Sequence, residues 1–109
     1  MAAILQVNFT WDVPEEVATG ATAADAQPFA DREDVVWKIW IRDPASKTSG
    51  GVYLFHDRSA AEAWGRELGA QLAGREGVSD YRATAFDIQD EPTRVTSGPV
   101  DVSVSAWSG

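Results

Sequence analysis

The chain of 109 residues contains no cysteine, a single histidine, His56, and only nine lysines and arginines against 17 aspartates and glutamates. Without thiols there is no disulfide, no thiolate nucleophile, no iron–sulfur cluster and no zinc–cysteine site. One histidine leaves carboxylates as the remaining ligands, and no H-x-E, H-E-x-x-H or clustered D-x-D spacing occurs, so no metal is expected. A net charge of −8 and a pI near 4.4 argue against nucleic acid, which needs a basic footprint. No apolar run approaches the roughly 18 residues of a membrane span. The opening "MAAILQVNFTW" lacks a basic n-region and a long apolar h-region, so it reads as no signal peptide, and a soluble, cytoplasmic protein is expected. There is no G-x-G-x-x-G, no G-x-x-x-x-G-K-[ST] and no nucleophile elbow, which removes the usual nucleotide and serine-hydrolase readings.

What the chain does have is a clear succession of periodic segments. In residues 3–11, Leu5, Val7, Phe9 and Trp11 share one face and Gln6, Asn8 and Thr10 the other, which is a strand with one apolar side. Asp12, Pro14, Glu15 and Glu16 signal a helix start. The segment from Pro14 to Ala30 contains Gly20 and Pro28 and predicts an interrupted or kinked helix. Residues 35–42 and 51–56 read as an antiparallel hairpin joined by the long polar loop 43–51. Ser59 and Glu62 form an S-x-x-E capping box. Beyond it, Ala61, Trp64, Gly65, Leu68 and Leu72 make one helical stripe, which Gly74 and Gly77 can end. Residues 81–88 form a fourth strand.

The order β–α–β–β–α–β predicts an α+β, ferredoxin-like sandwich over residues 1–92. In the extension 93–109, Val100, Val102, Val104 and Ala106 alternate with polar residues. That alternation predicts a fifth strand or arm on the same domain or on a partner chain.

Such a sandwich covers one sheet face with helices and leaves the other bare. On the second strand, the apolar row Val35, Trp37, Ile39 and Ile41 is expected to face the helices. The mixed row Val36, Lys38, Trp40 and Arg42 is expected to face outwards, with Gln6 and Asn8 beside it. A bare patch of Trp40, Tyr53 and Phe55 would be an association liability on a monomer, and a homodimer resolves it.

The segments "ILQVNF", "VVWKIWIRD", "GGVYLFHD" and "FDIQDEP", in that order over about residues 3–92, resemble the YdhR-type monooxygenase family. The W-K-x-W and G-G-x-Y-L-F pair is the most specific part of the likeness. The resemblance implies a dimeric α/β-barrel in which two ferredoxin-like sheets face each other. It also implies kinship with small oxygenases, some of which oxidise polycyclic aromatic substrates without metal or flavin. The closing "VDVSVSAW" extends beyond the family's usual ending.

Cofactor-independent oxygenation asks for an apolar pocket, a proton acceptor and polar groups that hold an anion. Phe9, Trp11, Trp37, Trp40, Trp64 and Phe86 are the candidate substrate contacts; any one of them alone reads more readily as core, and as a set they point to a cavity. The candidate catalytic residues are three. Tyr53, in the G-G-x-Y motif, can hydrogen-bond a phenolic substrate or pack across the dimer. His56 is the natural base near neutral pH, or an exposed histidine at a strand end. Asp25 in the first helix is a further proton acceptor, as is Asp87 in the fourth strand; either can equally be a solvated carboxylate. The reading is a monooxygenase without cofactor, acting with O2 on a hydrophobic aromatic or polyketide-like molecule. The alternatives are a non-oxidative cyclase or isomerase of an aromatic pathway, or a small-molecule binding protein on the same fold.

Overall fold

In the computed structural model, which describes residues 1–101, the alternation of the first strand is realised in β1, Ala3–Trp11. Ala3, Leu5, Val7 and Trp11 are buried on one side of it. There follow α1 (Glu15–Ala30), β2 (Val35–Asp43), β3 (Thr48–Phe55), α2 (Arg58–Leu72), β4 (Val78–Asp87) and a short α3 (Asp90–Val95). The sheet order is β2-β3-β1-β4, with every neighbouring pair antiparallel. β1 and β2 are therefore parallel, as are β3 and β4, and each of these pairs is joined through a helix. Tyr53 and Phe55 of β3 and Ala61 and Trp64 of α2 close the core against β1. The expected ferredoxin-like α+β fold is present. No described helix is long and apolar enough to cross a membrane.

The assignment of faces on β2 is reversed from expectation. Val35 pairs with Phe55 and packs on the core, but the register shifts by one residue before Trp37, which pairs with Leu54. An extra residue in a strand turns every later side chain to the opposite face. Lys38, Trp40 and Arg42 consequently lie on the helix side, opposite Tyr53, Gly51 and Ser49. Trp37, Ile39 and Ile41 lie on the bare side. Tyr53 and Phe55 are 1% and 0% exposed, so they form no surface patch; the exposed apolar residues of the bare side are Ile39, Ile41 and Phe86.

Four local expectations also change. α1 is continuous, because Pro28 falls in its last turn, where the chain ends its helix at Ala30. The hairpin connection is short: Asp43 accepts hydrogen bonds from Ala45 N and Ser46 Oγ, Lys47 adopts φ 58°, and Thr48 already pairs with Asp43 and Thr10. The capping box does not form, since Ser59 lies inside α2 and its hydroxyl bonds Asp57, which also takes the N-terminal ammonium at 3.1 Å. β4 starts at Val78, beside Trp11, rather than at Tyr81. Residues 93–95 belong to α3, and beyond it Pro99 O accepts a bond from Trp37 Nε1 at 2.9 Å while Val100 is buried. The alternating segment from Val102 onward lies outside the described residues.

The helices differ in how they meet the sheet. α2 buries Ala61, Trp64, Gly65 and Leu72 along one stripe. α1 is mostly Ala, Thr and acidic residues without an apolar stripe, and only Ala18 is buried. A helix lacking such a stripe has nothing to press flat onto the sheet, and the gap it leaves is a large cleft.

Candidate active-site cleft

This cleft, of about 950 Å³, lies between α1 and α2 above the sheet. Its floor is made by Phe9 and Trp11 of β1, Lys38, Trp40 and Arg42 of β2, and Tyr53 of β3; α1 contributes Asp25 and Phe29, and α2 contributes Trp64 and Leu68. The volume falls in the range of sites that enclose drug-sized ligands, roughly 300–1,000 Å³.

Phe29, the single aromatic residue of α1, closes one end. Its ring centroid is 6.0 Å from that of Trp40, 5.5 Å from Tyr53 and 5.6 Å from Trp64. At the other end Phe9 lies 6.5 Å from Trp11, and the Arg75 guanidinium sits over the Trp11 ring at 5.2 Å. Burial pushes the Tyr53 hydroxyl above its ordinary pKa, opposed by the Trp64 indole and by Arg32. Among the described residues, Trp64 Nε1 is itself buried with no partner of hydrogen-bonding geometry.

Besides Arg75, the cleft is lined by three cations, and two of them are committed. Arg32 donates Nε and Nη2 to Asp34 at 3.0 and 2.7 Å and lies 4.3 Å above the Trp64 ring. Arg42 donates to both Glu15 oxygens at 2.9 and 2.6 Å and to Ser49 Oγ at 2.6 Å. Lys47 adds a contact to Glu15 at 3.2 Å. The Arg42 hydrogen bonds hold the Glu15 carboxyl down at about 2, against a smaller upward push from desolvation and with Lys47 reinforcing. This bidentate pair ties the start of α1 to β2 and β3.

The third cation is Lys38. Its Nζ lies 3.3 Å from the Trp40 ring centroid and 4.7 Å from those of Phe29 and Tyr53. Burial lowers its pKa to about 8, with the more distant Asp25 carboxylate acting the other way. Gly51 makes room for this side chain, since a Cβ there would stand 2.8 Å from Lys38 Cε.

Among the residues singled out from the sequence, the fold thus brings Phe9, Trp11, Trp40, Tyr53, Trp64 and Asp25 to one cleft. It does not bring Trp37, Phe86 or His56 there. Trp37 is turned to the bare face by the β2 bulge and bonds Pro99, and Phe86 is 49% exposed on that same side, on β4. His56 is half-buried just past β3, its backbone N–H bonded to Asp34 O at 3.1 Å. Asp87 is paired with Arg58 at 2.9 Å, away from the cleft. Lys38, Arg42 and Phe29 were not expected there. The signal for Phe29 was its isolation as a lone ring in an alanine-rich helix; for Lys38 no sequence signal fixes the bulge that turns it inwards.

A comparison with curated proteins finds no match. A comparison with family models matches residues 4–99 to a family described as "Putative mono-oxygenase ydhR". That match spans both helices and all four strands around the cleft, and the chain belongs to the YdhR family of putative mono-oxygenases.

Proposed function

We propose that the protein is a cofactor-independent monooxygenase of a hydrophobic aromatic or polyketide-like molecule, bound in the cleft between α1 and α2. The observation that carries this reading is the cleft itself: about 950 Å³ walled by Phe9, Trp11, Phe29, Trp40, Tyr53 and Trp64, wide enough for a fused-ring substrate. In this chemistry an activated C–H of the substrate loses its proton. The carbanion's electrons pass to O2, and the resulting hydroperoxide eliminates water to leave a carbonyl. A methylene plus O2 thus becomes a carbonyl plus water, with one oxygen atom kept. The substrate is the reductant, and the protein's part is to bind it, accept its proton and hold the anion.

The test is oxygen uptake with a panel of anthrones and dihydroxynaphthalenes, without added metal or flavin. Uptake is expected with at least one anthrone, accompanied by a product that has lost two hydrogens and gained one oxygen. A product of unchanged mass would favour an isomerase or cyclase instead. Ligand-induced thermal stabilisation without any product would favour a binding protein.

The same reading makes the chain a homodimer whose subunits meet through the bare sheet faces. Ile39, Phe86 and Ile41 are 53%, 49% and 38% exposed there, an apolar set that association would cover. Sedimentation at micromolar concentration is expected to give a dimer, and Ile39→Lys is expected to shift it to monomer. A monomeric wild type would remove this part of the reading.

A further inference from the structure

Lys38 is a cation with no anion. Among the described residues, no carboxylate lies within ion-pairing distance of its Nζ and no hydrogen bond engages it; its close neighbours are the faces of Trp40, Phe29 and Tyr53. Ring faces attract a cation, and they leave its three N–H groups available to an acceptor that enters the cleft. An ammonium placed this way can turn its N–H groups towards a ligand, and it sits at the floor of the aromatic cleft.

The state of the neighbouring arginines narrows what Lys38 can receive. A carboxylate is best held by the planar fork of an arginine. Of the forks on the cleft, Arg32 and Arg42 are already closed on Asp34 and Glu15, and Arg75 lies over Trp11 at the other end, away from Lys38. Lysine is a compact point charge and suits a single oxyanion. Three rings around it suit a flat aromatic carrier of that oxyanion.

We infer that Lys38 Nζ is the anion-holding group of this cleft, and that the ligand is a fused-ring phenol or enol whose O–H proton passes to Nζ. In that step the O–H bond breaks, its electron pair stays on oxygen, and the proton completes an ammonium paired to the aryloxide. No electron leaves the pair, so the step needs no oxidant. The lowered pKa of Lys38 supplies neutral amine near pH 8. The other charged or titratable groups facing the cleft are Asp25 on α1, Arg32, Arg42, Tyr53, and Glu67 and Arg75 at the α2 side. This inference rests on the cleft being the ligand site. It adds the class of ligand and the residue that receives it.

The experiment uses 1,2-dihydroxyanthraquinone, whose neutral and anionic forms differ in colour, titrated with the full-length protein below the probe's own pKa. Wild type is expected to bind it as the anion, lowering its apparent pKa by about one unit or more. Lys38→Met keeps the apolar stem and is expected to bind the probe in its neutral form, with affinity at the same pH reduced about tenfold or more. Lys38→Arg keeps the charge without a usable neutral form, and is expected to retain anion binding while losing oxygen uptake with the anthrone panel. Equal ionisation of the probe by wild type and Lys38→Met overturns the role of Lys38 and leaves the cleft reading standing. Failure of all three proteins to bind the probe overturns both. Circular dichroism and a melting curve for each variant establish that the comparison is between folded proteins.

Discussion

Gly50→Ala is expected to abolish folding or to lower Tm by more than about 20 °C, although it adds a single methyl to a strand. A Cβ built on Gly50 would lie 1.9 Å from Val7 O and 3.2 Å from Asn8 Cα, both backbone atoms of β1. Nothing there can rotate aside. β1 is central, paired with β3 on one side and β4 on the other, so moving it disrupts two ladders together. Gly20→Ala provides the contrast. Gly20 lies inside α1 with nothing within 4 Å of an added Cβ. There alanine should stabilise by up to about 1 kcal/mol, by removing glycine's conformational freedom from the unfolded chain. Thermal melts of both variants measure the difference. A Gly50→Ala protein that melts like wild type would show that β1 and β3 are less closely apposed than described.

Phe29→Ala is expected to cost about 2–3 kcal/mol, lowering Tm by roughly 10–15 °C, and to weaken binding of aromatic probes about tenfold or more. The size follows from how little else holds the end of α1. Ala18 is the helix's one buried residue. Its start is tied down by Glu15 to Arg42 and Lys47, but near its end the ring of Phe29 makes the contacts with Trp40, Tyr53 and Trp64. Removing that ring also strips one wall from around Lys38. The half-buried position of Phe29 puts the cost just below the roughly 3–5 kcal/mol typical of a fully buried phenylalanine. A melt unchanged from wild type would mean that α1 is anchored elsewhere. A lower Tm with unchanged probe affinity would separate the ring's structural part from its place in the site.

The two predictions concern features of unequal visibility. The paired glycines at 50 and 51 stand out in the sequence, yet their separate tasks do not: Gly50 lets β1 approach, and Gly51 accommodates Lys38. Phe29 is inconspicuous in a segment that reads mainly as alanine. The aromatic residues of β1 and α2 that reach the cleft are legible because strand alternation and helical spacing place Phe9, Trp11 and Trp64 on core-facing sides without further information. Trp40 and Trp37 are not legible in this way, because both periodic readings of β2 look plausible and one displaced residue exchanges them.

The chain alone determined the order of its strands and helices, the absence of thiol chemistry and the aromatic endowment of the site, because hydrophobic period and residue type are local properties. Which side of β2 meets the helices was decided in three dimensions. The shift between Val35 and Trp37 depends on how β2 seats against β3, and the inward turn of Arg42 is answered by Glu15, 27 residues away in the chain. The cleft has the same origin. It exists because α1 meets the sheet mainly through its two ends, and the space between those ends is a property of the packed molecule.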